Sequence, residues 1–159
     1  MTVYPPDQNI SKEELLTAVK DQDAIITMLS DPVDEDVIKA GNRLQVIAIY
    51  AVGFNNIHVD AATSRGIKVV NTPDVLTNAT ADLAWALLMS TARRVVEGDH
   101  LTRTGQFKGW EPELLLGAEV YGKTLGIVGA GRIGQAVAKR AVGFGMPVLY
   151  HNRTRLPES

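Results

Sequence analysis

Residues 123–152 read KTLGIVGAGRIGQAVAKRAVGFGMPVLYHN, and the order of patterns within them decides the fold. Thr124-Leu125-Gly126-Ile127-Val128 is an apolar run of strand length that passes straight into Gly129-Ala130-Gly131-Arg132-Ile133-Gly134. Beyond the glycines the apolar period becomes helical: Ile133, Ala136, Val137 and Ala141 share one face, and Lys139 and Arg140 point away from it. A second short strand, Val148-Leu149-Tyr150, follows. The glycines therefore sit on a strand-to-helix turn. In that setting Gly129 serves the tight turn, Gly131 lets backbone approach a pyrophosphate, and Gly134 lets helix and strand pack closely. The N–H groups of Arg132 and Ile133 would face the anion, with the positive end of the helix dipole behind them. The plain alternative is a glycine turn that only joins strand to helix. The complete order of strand, turn, helix and strand favours dinucleotide binding.

At the end of the second strand, about twenty residues past the first glycine, an NAD-type site carries Asp or Glu for the adenosine 2′-OH. This chain has Asn152, then Arg153, Thr154 and Arg155. An acid there repels a 2′-phosphate, whereas an arginine makes a charge-assisted hydrogen bond worth about 1.5–3 kcal/mol. NADP(H) is thus favoured over NAD(H), unless the arginines are only solvated charges near a chain end.

The whole chain of 159 residues has 45% hydrophobic and 21% charged residues, an ordinary globular composition. A chain of this size is long enough for one core that buries about 68–70% of its unfolded surface, or for two partial domains. Net charge −2, with no block of like charges, leaves no electrostatic footprint for nucleic acid or an anionic membrane. No cysteine is present, which excludes disulfides, thiolate catalysis and zinc–thiolate sites. The strongest apolar stretch, residues 83–89, is far short of a membrane span. The opening MTVYPP lacks the regions of a signal peptide, so a cytoplasmic home is expected.

Upstream, Ser11-Lys12-Glu13-Glu14 reads as a capping box opening a helix to about Lys20. Residues 24–29 read as a strand covered on both faces. A short helix over 34–40 is closed by Gly41, and 44–50 is the next buried strand. A helical turn over 57–64 stops at Gly66, and 67–70 is a third strand. This spacing implies parallel pairing through right-handed crossovers, an α/β sheet. After the turn Asn71-Thr72-Pro73-Asp74, Thr77 can cap a helix running to about Glu97 and ended by Gly98. Its middle, 83–89, is apolar all round and is expected to be buried between layers or against another subunit. Arg93 and Arg94 suit the dipole of its last turns. Residues 101–121 read as an irregular connector, with the lobe boundary near its start: 1–100 and 101–159.

In such sheets ligands collect at the carboxyl ends of the strands. There lies Ala51-Val52-Gly53-Phe54-Asn55-Asn56, whose glycine permits exposed N–H groups able to bind a carboxylate. The loop also reads as an ordinary turn, and Asn55, Asn56, His58 and Asp60 are explained equally well by local capping. The three histidines, His58, His100 and His151, have no metal-like spacing, and no serine has a nucleophile-elbow context.

With YAVGFNNIHVDAATSRGIKVVNTPDVLTNATADLAWALL (50–88), ARR (92–94) and KTLGIVGAGRIGQAVAKRAVGFGMPVLYHNRTR (123–155), the chain resembles the D-2-hydroxyacid dehydrogenase family, nearest its glyoxylate/hydroxypyruvate reductase type. The resemblance implies a flavodoxin-like substrate lobe followed by the first β-α-β unit of a Rossmann domain. It also implies reduction of a small 2-oxo acid by a nicotinamide cofactor, usually in a homodimer. Val52 and Gly53 would offer N–H groups to the substrate carboxylate. Thr80, Gly129, Gly131, Arg132, Ile133, Gly134 and Asn152, Arg153 and Thr154 would hold the cofactor. Family members are about twice as long, and the half not matched carries the family's arginine, histidine and paired acid. The opening strand is absent or reduced to Val3-Tyr4. No residue here fills a catalytic position, so the chain is expected to be a truncated form, inactive alone. The strand over 147–151 would expose a hydrophobic edge, and a dimer or larger assembly is expected to cover it. A non-catalytic dimerising or nucleotide-binding protein derived from the fold, and an independent dehydrogenase using His58 or His151, are the alternatives.

Overall fold

The computed structural model describes residues 2–5 and 8–157. The chain divides into two compact units, Met1–Asp74 and Val75–Ser159. This division falls ahead of the long helix rather than near residue 101, because that helix packs most heavily on a helix of the second unit.

The first unit alternates helix and strand: α1 Lys12–Ala18, β1 Ala24–Thr27, α2 Glu35–Ala40, β2 Val46–Ile49, α3 Val59–Ser64 and β3 Lys68–Val70. The strands pair in the order β1-β2-β3, all parallel, as their spacing requires. Residues 2–5 form no strand, although Tyr4 Oη donates to Glu14 Oε2 at 2.9 Å. The capping box at α1 is complete: the Ser11 hydroxyl accepts from the Glu14 amide, and Glu14 accepts from the Ser11 amide. Asp34 caps α2 by accepting from the Asp36 and Val37 amides. Gly41 ends α2 at φ −76°, so its role is spatial: a Cβ there would lie 3.0 Å from Leu44 Cβ and 3.1 Å from Val19 Cγ2. Gly66 ends α3 at φ +70°, where only glycine is relaxed. Its amide donates to Thr63 O and that of Ile67 to Ala62 O, a full Schellman closure.

Leu15, Val37, Ile38 and Ala62 of the helices bury Ile47 and Ile49 of β2 in one cluster. The opposite face stays open. Ile26, paired with Ala48 and through it with Val70, is 73% exposed. Residues 24–29 are therefore not covered on both faces: β1 is an edge strand of a three-stranded sheet, and Met28 and Leu29 lie beyond it, exposed.

The second unit holds α4 Thr77–Ala92, α5 Val95–Arg103, β4 Leu125–Val128, α6 Arg132–Ala141, a 3-10 turn Val142–Phe144 and β5 Val148–His151, with β4 and β5 parallel. Thr77 does not cap α4: Leu76 holds that position without a side-chain hydrogen bond. Nor does the helix reach Glu97. It ends at Ala92, and Arg94 turns into the left-handed region at φ 54° before α5 starts. The break is held from afar, since Ala118 N donates to Ala92 O at 2.8 Å and a Cβ on Gly117 would overlap that same oxygen. Gly98 lies inside α5, not at a helix end. Arg94 pairs with Glu97 of α5 instead of serving α4. The connector is irregular only after Arg103.

Trp85 is buried among Leu125, Ala141, Val137 and Phe144; its ring stacks on Phe144 at 4.8 Å and its Nε1 donates to Val137 O at 2.9 Å. The other side of α4 is not buried in this chain: Leu83 and Leu87 are each 59% exposed. The expected apolar face of α6 is present, with Ala136 and Ala141 buried. Arg140, expected to point to solvent, reaches α4 instead: it donates to Asp82 Oδ1 at 2.8 Å, to Asn78 O at 3.3 Å and back to Ala136 O at 2.7 Å. Val128 and Leu149 remain exposed, as the short sheet predicts.

Candidate functional site

In the second unit, β4 bends through residues 129–131 into α6, with Gly131 as N-cap. The three glycines differ in why they are glycine. Gly129 sits at φ +95°, a conformation that L side chains rarely adopt. A Cβ on Gly134 would overlap Gly129 O and lie 3.1 Å from Gly129 C. Gly131 has φ −73° and ψ −163°, open to any residue, and a Cβ there would meet nothing within 4 Å. Nothing among the described residues requires glycine at that position, and its open side leaves room for a group from outside. The Gly131 and Ile133 N–H groups donate to no acceptor among the described residues, while Gly129 N is tied to His151 O at 2.9 Å. Gln135 Nε2 holds Ala130 O at 3.0 Å and so fixes the far side of the turn. The residues present therefore fit a pyrophosphate: a glycine with open space where its Cβ would stand, beside amides without an acceptor among the described residues at a helix N-terminus.

At the end of β5 the Asn152 side chain donates to Thr154 O at 3.0 Å, which shapes the segment into a tight bend. Tyr150 Oη accepts from Leu156 N at 3.2 Å and draws the following residues back over the strand. Arg153 is exposed and makes no hydrogen bond or ion pair among the described residues, which leaves its guanidinium available to an anion. Thr80 lies half-buried in the second turn of α4, its amide on Leu76 O. Side-chain hydrogen bonds at that end of α4 run from Arg140 to Asp82 and Asn78 O, and among the described residues none joins Thr80 to the glycine turn.

In the first unit, Val52 and Gly53 follow β2, and neither N–H donates to an acceptor among the described residues. A Cβ on Gly53 would meet only Leu29 Cδ2, at 4.0 Å. The neighbouring polar residues are structural. Asn56 Nδ2 donates to Met28 O at 3.0 Å and Asp31 O at 2.8 Å, and His58 Nδ1 caps α3 by accepting from Ala61 N at 3.2 Å. His58 Nε2 faces Glu35 Oε1 at 3.5 Å. Sequence reasoning missed Asn71, whose Nδ2 donates to Val52 O at 2.9 Å; the only signal was a turn-like Asn-Thr-Pro. Among the described residues no cluster of His, Cys, Asp and Glu suits a metal, and no helix is long and apolar enough to cross a membrane.

The displaced pKa values lie away from both loops. Glu14 is held below its usual range by the Ser11 amide, then by the Ser11 and Tyr4 hydroxyls. Asp34 is lowered by Lys12, whose ammonium is raised in turn by Asp34 and Asp36, at 2.5 and 2.9 Å. Lys12 with Asp34 and Asp36 fastens α1 to α2, and Glu14 closes the start of α1.

A parallel α/β chain with a glycine turn between strand and helix has the layout from which nucleotide-binding α/β architectures are built. The profile of the D-isomer specific 2-hydroxyacid dehydrogenase, catalytic domain, matches residues 2–144. The glyoxylate reductase of Thermococcus kodakarensis is 57% identical over 161 residues, covering 99% of this chain and 48% of the relative. The TT0316 protein of Thermus thermophilus is 50% identical with a TM-score of 0.88, covering 99% of this chain and 49% of that one. The D-lactate dehydrogenase of Aquifex aeolicus, solved in complex with NAD and lactic acid, is 26% identical with a TM-score of 0.79 over 89% of this chain and 42% of that one. The chain belongs to the D-isomer specific 2-hydroxyacid dehydrogenase family. It spans about half the length of the curated relatives it matches.

Proposed function

We propose that the chain carries the carboxylate-binding loop and the cofactor-phosphate turn of an NADP(H)-preferring enzyme that reduces a small 2-oxo acid of the glyoxylate or hydroxypyruvate kind. The observation that carries this reading is Gly131, a glycine with an ordinary φ and empty space where its Cβ would stand. When bound, the cofactor supplies the hydride. Gly129, Gly131, Arg132, Ile133 and Gly134 would hold its pyrophosphate, and Thr80 would touch it from α4. Asn152, Arg153 and Thr154 would take the adenosine ribose, with Arg153 on the 2′-phosphate. Neighbouring folds include an NAD-bound D-lactate dehydrogenase, so the class of cofactor is common ground; the preference for NADP(H) rests on the absent acid and the unengaged Arg153.

Val52 and Gly53 would donate their N–H groups to the carboxylate of the oxo acid and so hold its carbonyl in a fixed direction. No residue of this chain takes the proton-donor position that the family resemblance implies. The roles proposed for the residues of this chain are binding and positioning. In this reading the first unit, to Asp74, carries the substrate-binding loop, and the second, with the long helix, begins the cofactor domain. The exposed Leu83 and Leu87 favour self-association as a homodimer, and a cytoplasmic home goes with the rest. Calorimetric titration with NADPH and NADH tests the proposal: NADPH binds more tightly, and Arg153→Ala removes the difference. Undiminished, equal binding of both by wild type and variant refutes the role of Arg153. Self-association with no nucleotide binding at all would favour a non-catalytic interaction protein instead.

A further inference from the structure

The segment leaving β3 is sewn to the loop after β2 by two hydrogen bonds to successive carbonyls. The Thr72 amide donates to Ala51 O at 3.0 Å, and the Asn71 side chain donates to Val52 O at 2.9 Å. In a planar trans peptide the C=O and N–H point in opposite directions. The Ala51 carbonyl shares its plane with the Val52 N–H, and the Val52 carbonyl shares its plane with the Gly53 N–H. Drawing both carbonyls toward residues 71–72 turns both N–H groups away from them, toward the side where Gly53 leaves open space. The Thr72 bond is made by backbone and survives any side-chain change there. The Gly53 half of the arrangement depends on one side chain.

The geometry points to Asn71 as a positioning residue that aims the Gly53 N–H at the carboxylate of a 2-oxo acid, which rests on the reading of Val52 and Gly53 given above. Glycine has more backbone freedom than any other residue, so the peptide ahead of Gly53 is the one most in need of an external tie. Asn71 sits half-buried at the exit of β3, where a three-residue edge strand offers little other restraint.

The test is amide 15N relaxation of Val52 and Gly53 in wild type, Asn71→Ala and Asn71→Gln, followed by titration with glyoxylate read from the same two amides. Asn71→Ala is expected to lower the order of Gly53 and weaken glyoxylate about three- to tenfold, the worth of one hydrogen bond. Asn71→Gln keeps an amide donor on a longer arm and recovers part of both. Where the alanine variant does not fold, Asn71→Ser, too short to reach Val52 O, carries the same comparison. A Gly53 amide as ordered in the variant as in wild type overturns the proposal, and so does an affinity loss with unchanged order. If wild-type amides ignore glyoxylate, the carboxylate reading fails, and the relaxation comparison alone decides whether Asn71 sets the peptide.

Discussion

Two alanine substitutions one turn apart separate packing from binding in the glycine turn. At Gly134 a methyl group would overlap the Gly129 carbonyl oxygen and stand 3.1 Å from its carbon and 3.4 Å from Ile127 Cγ2. The first two neighbours are backbone and cannot swing aside, so β4 and α6 must separate. Overpacking of this kind costs about 1–3 kcal/mol, against a gain of up to about 1 kcal/mol from alanine's helix propensity. A net loss of about 1–2 kcal/mol lowers the melting temperature by about 2–8 °C for a chain of this length. Gly131→Ala, with nothing within 4 Å and an ordinary φ, stays within about 1 kcal/mol of wild type. Its methyl occupies the space left for the pyrophosphate, and NADPH affinity falls tenfold or more, about 1.4 kcal/mol or above. Thermal melts followed by circular dichroism, paired with calorimetry, read both quantities. A Gly131→Ala protein that binds NADPH like wild type, or a Gly134→Ala protein that melts like wild type, refutes the division of roles.

Three further outcomes follow from the same structure. Glu14 and Asp34 titrate lower when folded than when unfolded, so their contribution is complete above about pH 4, the ordinary carboxylate value, and is lost as pH falls through their lowered folded values; melts between pH 7 and pH 2 show this acid limb, and Ser11→Ala makes it shallower while costing about 1 kcal/mol. Arg140→Ala removes the ties to Asp82, Asn78 O and Ala136 O and destabilises the second unit by about 1–3 kcal/mol, with Arg140→Lys recovering little because an ammonium lacks the fork; denaturant melts measure it. Leu87→Glu places a charge on the exposed side of α4 and converts a dimer to monomer in sedimentation velocity at micromolar concentration, whereas a wild-type monomer there removes the dimer from the account.

What the sequence made legible is local. Apolar runs, the Ser11 capping box and Gly66 each act within a few residues, and each appears where its own chemistry puts it. Parallel pairing followed because a strand-helix-strand order leaves little other choice. The end of α4 was not legible, because 93–98 continues with acceptable helix formers. What breaks the helix is Gly117 and the Ala118 amide, more than twenty residues later in the chain. Arg140 was misjudged for the same reason: its face is polar by sequence, but Asp82 waits on a neighbouring helix. At the glycine turn the reading went further, since Gly129 and Gly134 have the conformational and packing reasons assigned to them. The part played by Asn71 lay hidden, since a turn-forming asparagine and one that reaches across to a neighbouring loop look alike until the loops are side by side.

The most direct measurement is a two-dimensional 1H–15N titration of the labelled chain with NADPH. The account predicts that the largest shifts fall on the amides of Ala130, Gly131, Arg132 and Ile133, with a second group at Asn152 to Thr154. Saturating binding that leaves residues 130–133 unmoved, or no binding at millimolar nucleotide, contradicts it.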